Sequence, residues 1–204
     1  MNPEAALRAA GFLQIAGVDE AGRGAYAGPL VVAAVILNPD KPLDRVGDSK
    51  KFSESERAEI AEQIKERAFA FALLTIESQE IDQVGLHLSN IAGMRRAITA
   101  LSINPDYIIT DGYSIPGLDI PAISMWRGDQ VSESVGAASI LAKNHRDQIM
   151  IAWDKKYPEY GFAAHKGYGT ASHQRALHHY GVLPIHRRSF APIAKLIDAQ
   201  GLSG

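Results

Sequence analysis

Gly17-Val18-Asp19-Glu20-Ala21-Gly22-Arg23-Gly24 and, a few residues on, Leu30-Val31-Val32-Ala33-Ala34-Val35-Ile36-Leu37 are the stretches that decide the fold. The first is an apolar run that ends in two carboxylates and a glycine-framed arginine. The second is apolar throughout, as in a strand buried on both faces. Leu13 to Asp19 and Pro29 to Leu37 are therefore expected as strands, and the short link Gly22 to Gly28 suits an antiparallel pair with a long or bulged turn. Two adjacent carboxylates suit a hard cation, the glycines let backbone approach a ligand, and an arginine between them suits phosphate.

Outward from this centre the elements alternate. Ser53-Glu-Ser-Glu56 has capping-box spacing and opens a helix to about Arg67. Phe69 to Ile76 reads as a third strand and Leu88 to Leu101 as a helix. Two short strands, Tyr107 to Thr110 and Ala122 to Trp126, end in Asp111-Gly112 and Arg127-Gly128-Asp129. A long helix is expected over Val131 to Tyr157, with shorter ones at Ala171–Tyr180 and Pro192–Ala199. The pattern describes a single α/β domain: a mixed sheet flanked by helices, with a helical C-terminal segment from about residue 160.

Composition narrows the class. The chain has 204 residues, no cysteine and a net charge of −2. Disulfides and thiolate metal sites are thereby excluded. Met1 to Phe12 lacks the basic start and apolar stretch of a signal peptide, and no apolar run reaches a membrane-spanning length. A cytoplasmic monomer is expected, with no membrane partner. Residues 1–136 carry 12 Lys and Arg against 19 Asp and Glu, whereas residues 137–204 carry 9 against 4 and six of the seven histidines. That asymmetry suits an acidic, metal-collecting site in one part and a cationic surface for a polyanion in the other.

Asp19, Glu20, Asp111 and Asp129 each fall at or just after the end of an expected strand. If those strands are neighbours, the four carboxylates meet at one sheet edge and bind one or two Mg²⁺ or Mn²⁺ ions. Adjacent strand residues face opposite sides, so Asp19 and Glu20 share a site only if the strand ends or bulges between them. Ser139, Lys143, Arg146 and Asp147 line one face of the long helix, with Ser139–Lys143 and Lys143–Asp147 as four-residue pairs. His178 and His179 point about 100° apart on a helix, which argues against a zinc pair. His165 and His173 are expected to support a loop or meet phosphate.

The segments VDEAGRG, DSKKFS, TDGY, RGD, AASILAKNHRD, HKGYGT and HRRSF, in that order over residues 18 to 190, resemble bacterial ribonuclease HII. The resemblance implies a ribonuclease H-like sheet and Mg²⁺- or Mn²⁺-dependent cleavage of the RNA strand of RNA–DNA hybrids. It also implies nicking 5′ of single ribonucleotides embedded in duplex DNA. On it, Asp19, Glu20, Asp111 and Asp129 are the catalytic acids, and Gly22, Arg23 and Gly24 are the loop that reads the 2′-hydroxyl. Tyr168 stacks on the sugar of the following nucleotide, and Lys50, Ser139, Lys143 and Arg187 complete the expected substrate contacts. Phe52, Arg127 and Asn144-His145 depart from the family's usual residues, and no clamp-binding tail is evident after Leu196. Two other classes stay open on the residues alone. A hybrid-binding module would bind without metal or turnover, and a small-molecule phosphatase would act equally on nucleotides and duplexes.

Overall fold

A computed structural model of the chain describes residues 3–199; the end of the tail, beyond Ala199, lies outside the described residues. The elements follow in the order α1 (Pro3–Ala9), β1 (Ile15–Ala21), β2 (Leu30–Ile36), α2 (Glu54–Arg67), β3 (Ala70–Ile76), α3 (Ser78–Val84), α4 (Leu86–Thr99), β4 (Tyr107–Asp111) and β5 (Ala122–Met125). The helices α5 (Gly128–Val131), α6 (Glu133–Lys156), α7 (Phe162–His165), α8 (Ala171–Tyr180) and α9 (Ala191–Ala199) complete it. The five strands form one sheet in the order β3-β2-β1-β4-β5. β1 runs antiparallel to β2 and parallel to β4, and β4 runs parallel to β5.

The chain groups into two compact units. One comprises the residues up to Ala21, Val31–Leu74 and Asn90–Asn144; the other comprises Gly22–Leu30, Thr75–Ser89 and the chain from His145 on.

The first unit holds nearly all of the sheet. β2 is buried at every position, as its unbroken apolar run requires. Ile15, Ile109 and Val135 form a core with Leu7, Phe12, Tyr107 and Met125 packed against it. Gly17 lets α6 approach β1: a methyl there would come within 2.0 Å of the Ser134 carbonyl carbon. The buried Glu4 carboxylate accepts from the Ser134 N–H at 2.9 Å and from the Ser132 and Ser134 hydroxyls at 2.6 and 2.7 Å. It thus caps the start of α6, where an anion also meets the positive end of the helix dipole.

The second unit has its own core, made by Ala27, Met150, Tyr160, Phe162, Ala176 and Ile185 with Trp153, Tyr157 and Leu183 against it. Its α8 begins on Thr170, whose hydroxyl accepts from the His173 N–H.

The expected strands and helices are present, with three differences. β1 does not stop at Asp19 but runs on through Glu20 to Ala21, because its pairing with β2 continues as Glu20 to Val32 and Ala21 to Val31. The expected helix from Val131 is two: Ser132 is extended between α5 and α6, and its hydroxyl takes the Val135 N–H at 3.2 Å. The short helices α1 and α3 carry no long apolar period in the sequence, and α3 also lacks a side-chain cap on Glu77.

Candidate active site

The parallel register of β1 and β4 builds the acidic end of the sheet. Val18 pairs with Thr110, so the next residues on the two strands are Asp19 and Asp111. Neighbouring strands lie about 4.8 Å apart, which sets these two carboxylates side by side on one face. The strand runs on through Asp19 and Glu20 without the break expected between them, so their side chains start on opposite faces, yet the longer Glu20 side chain brings its carboxylate near enough to raise Asp19. The Asp19 carboxylate nonetheless accepts from the Glu20 N–H at 2.7 Å.

Asp129 arrives by a different route. Arg127 turns the chain in the left-handed region (φ 55°, ψ 45°) and α5 follows at once. The Gly128 N–H donates to Asp111 at 2.7 Å, which ties the start of α5 to the end of β4. Asp129 therefore sits on a helical turn after β5 rather than at the strand end itself.

The electrostatics are those of crowded anions. Asp19 is 5% exposed, and its carboxyl is raised well above the ordinary range, first by burial and then by Glu20 and Asp111. The Ser139 hydroxyl and the Glu20 N–H pull in the other direction. Asp129 is raised by burial, then by Asp111 and Asp48, while Lys50 opposes the shift. Among the described residues no group of three or more His, Asp or Glu side chains is arranged to hold a metal ion. The acids are coupled pairwise, with Asp111 common to Asp19 and Asp129. Their oxygens are nevertheless the donors that hard divalent cations take.

Two expected substrate contacts in this unit differ in kind. Lys50 is exposed, on a 3₁₀ turn whose start is capped by Asp48 at 3.0 Å, and its charge acts on Asp129. Ser139 is buried and bonds Ser49 at 3.1 Å as well as acting on Asp19, so it supports an acid instead of meeting substrate. Lys143 is half-buried one turn further along α6. Asp48 was not singled out in the sequence; its place in the DSK segment was the only signal. It accepts from the Gln130 side chain at 3.3 Å and crowds Asp129.

In the second unit Gly22 has φ +96°, and a methyl there would lie 2.0 Å from Arg146 Nε. Glycine is thus required for both conformation and space. Gly24 is exposed and Arg23 half-buried. The loop is held by two fully buried guanidiniums. Arg146 donates to the carbonyls of Pro29, Ala27 and Lys166 at 2.9, 3.0 and 2.9 Å. Arg187 donates to Gly28 at 3.1 and 3.0 Å and to Arg23 at 2.9 Å. Arg187, expected at phosphate, lies buried with its guanidinium turned onto the loop's carbonyls inside the protein. Tyr168 is half-buried, bridges Ala25 and carries Arg146 5.3 Å from its ring centroid. His178 and His179 are exposed, while His165, His173 and His186 are buried together.

Comparison with known proteins places the chain in a family. The ribonuclease HII family profile matches residues 16–193. A ribonuclease HII of Salinispora tropica is 47% identical over 97% of this chain and 74% of its own length. One from Mycobacterium avium is 46% identical over 97% of this chain and 87% of its own. The ribonuclease H2 structure from Pyrococcus horikoshii superposes with a TM-score of 0.78 at 26% identity, covering 91% of this chain and 98% of that one.

Proposed function

The chain belongs to the ribonuclease HII family, and from that premise we propose that Asp19, Glu20, Asp111 and Asp129 are the catalytic centre of a divalent-cation-dependent endoribonuclease. Its substrates are RNA–DNA hybrids and DNA duplexes with single embedded ribonucleotides, cut on the 5′ side of the ribonucleotide. The observation that carries the assignment of the centre is the crowding of Asp19, Asp111 and Asp129. Like charges gathered at one end of the sheet cost stability, with burial and then Asp111 raising Asp129, and burial, Glu20 and Asp111 raising Asp19, and such strain persists where function requires it.

These four carboxylates would hold Mg²⁺ or Mn²⁺, which would supply water activation and charge neutralisation at the phosphate. The chain's own groups do the rest. The Ser139 hydroxyl and the Glu20 N–H favour the ionised form of Asp19 and partly oppose the rise that burial and its neighbours impose. The contact from Gly128 to Asp111 keeps α5, and Asp129 with it, at the end of β4. Lys50 and the half-buried Lys143 offer cations to the phosphate backbone.

Gly22, Arg23 and Gly24, the last of them exposed, read the 2′-hydroxyl through their backbone, since that hydroxyl is what separates RNA from DNA in a shallow minor groove. Tyr168 stacks on the sugar of the following nucleotide, where a second 2′-hydroxyl would crowd the ring and deoxyribose is preferred. Among the described residues no helix is long and apolar enough to cross a membrane, and the working form is a cytoplasmic monomer.

The test is a labelled duplex with one embedded ribonucleotide, incubated with Mg²⁺ or Mn²⁺ and then with excess EDTA. A nick 5′ of the ribonucleotide that EDTA abolishes is expected. Binding without any nick would overturn the assignment.

A further inference from the structure

The C-terminal unit buries three histidines for which the proposed chemistry has no use. His165, His173 and His186 are 8%, 0% and 1% exposed. His173 stacks on His165 with ring centroids 4.4 Å apart, and its Nε2 lies 3.0 Å from Nε2 of His186. Two bare ring nitrogens at that distance repel and two N–H groups collide, so one of them carries a proton and the other does not.

The backbone around His173 decides which. His186 Nδ1 lies 2.9 Å from the Leu183 nitrogen and 3.2 Å from the Leu183 carbonyl, so its own backbone contacts admit either tautomer and the partner ring settles it. His173 Nδ1 lies 3.0 Å from the Tyr168 carbonyl, which only accepts, so that ring carries its proton on Nδ1 and leaves Nε2 bare. With Nε2 of His173 bare, the 3.0 Å contact requires His186 to donate from its Nε2, and its Nδ1 then takes the Leu183 N–H. His165 is fixed separately, taking the Gly167 N–H on Nδ1 at 3.2 Å and donating from Nε2 to the Tyr160 carbonyl at 2.8 Å.

We infer that His186 and His173 are positioning residues for Tyr168, forming a one-way hydrogen-bond chain from the Leu183 N–H through two neutral imidazoles to the Tyr168 carbonyl. The inference rests on the reading of Tyr168 as the residue that meets the sugar. Tyr168 needs such support because glycines flank it. Gly167 has φ +80°, and a glycine-framed residue has little stiffness of its own. Arg146 braces the ring and the Lys166 carbonyl, while the imidazole chain braces the carbonyl of Tyr168 itself. Burial keeps both rings neutral, lowering His173 to about 4 and His186 to about 3. A second proton on either ring would fall on a nitrogen that must accept.

Two measurements test this. In the ¹⁵N-histidine-labelled full chain at neutral pH, His173 is expected as the Nδ1–H tautomer and His186 and His165 as Nε2–H. A His173 protonated on Nε2, or a charged ring at either His173 or His186, overturns the inference. The second measurement compares cleavage of duplexes whose ribonucleotide is followed by a deoxynucleotide or by another ribonucleotide. His173→Phe keeps ring and burial but has no donor, and should lower that preference about tenfold, as loss of one positioning hydrogen bond does. His173→Asn places an amide donor where Nδ1 was and should retain most of it. If Tyr168→Ala lowers the preference and His173→Phe leaves it unchanged, the inference fails and the reading of Tyr168 stands. If Tyr168→Ala itself changes nothing, both fall.

Discussion

In the sheet unit the buried charges are carboxylates, Asp19 and Asp129, set among other carboxylates. In the C-terminal unit they are guanidiniums, Arg146 and Arg187, set among carbonyls. Burial is equally deep in both, and the outcome differs. Each arginine is matched by backbone oxygens within 2.9 to 3.1 Å, so its burial cost is offset locally and its role is to shape a loop. Asp19 and Asp129 are raised by neighbouring carboxylates, and negative charge is collected where, on the proposed reading, divalent cations supply the opposite sign. Burial alone therefore does not mark a functional charge; the sign of its surroundings does.

The comparison breaks most visibly at the acids. Asp111→Asn and Asp19→Asn should each lower single-turnover cleavage by at least about a thousandfold, the scale of losing one essential charge-stabilising group. Their melting temperatures should stay level or rise, since each removes a repelled anion. A large drop in melting temperature would make these acids structural.

The opposite pattern is expected across the divide. Arg187→Met leaves the carbonyls of Gly28 and Arg23 without their donor, at a cost of about 3 kcal/mol. In a chain of this size that lowers the melting temperature by about 10 °C. Unfolding by heat checks it, and an unchanged melting temperature would return Arg187 to the list of substrate contacts.

Acid separates the units again. His173 and His186 titrate at about 4 and about 3 in the folded chain against an ordinary 6.5, so the unfolded chain binds their protons first. Their contribution to stability is complete above pH 6.5 and is lost as the pH falls toward 4. The raised pKa values of Asp19 and Asp129 act in the reverse sense, because the folded chain takes up those protons first and gains from acid. Melting temperatures from pH 7 to 4 should therefore fall less steeply in a His173→Asn, His186→Asn variant than in the parent. An identical slope would deny the histidines that role.

The smallest effect belongs to Ser139. Removing its hydroxyl raises Asp19 further, so in Ser139→Ala the acid limb of the pH–rate profile should move to higher pH, with a few-fold loss at neutral pH. An unmoved limb would detach Ser139 from Asp19.

Much of the sheet was legible because its evidence is local. An apolar run such as Leu30 to Ile36 announces a buried strand, and Ala171 to Tyr180 is helical between the limits its sequence suggests. The acids were legible as residues, but only the register of Val18 with Thr110 sets Asp19 beside Asp111. The burial of Arg187 and Ser139 was not legible, because charge and hydroxyl ordinarily mean surface and nothing near either residue in the chain reveals it. The imidazole chain was beyond reach, since its polarity depends on a backbone group at Tyr168 that no motif encodes.

The central claim is that Asp19, Glu20, Asp111 and Asp129 together capture a divalent cation. Titrating the full chain with Mn²⁺, followed by electron paramagnetic resonance of the free ion, measures this without any cleavage. Saturable binding in the parent, weakened at least about tenfold in both Asp19→Asn and Asp111→Asn, is the predicted result. Binding of equal strength in parent and variants would contradict it.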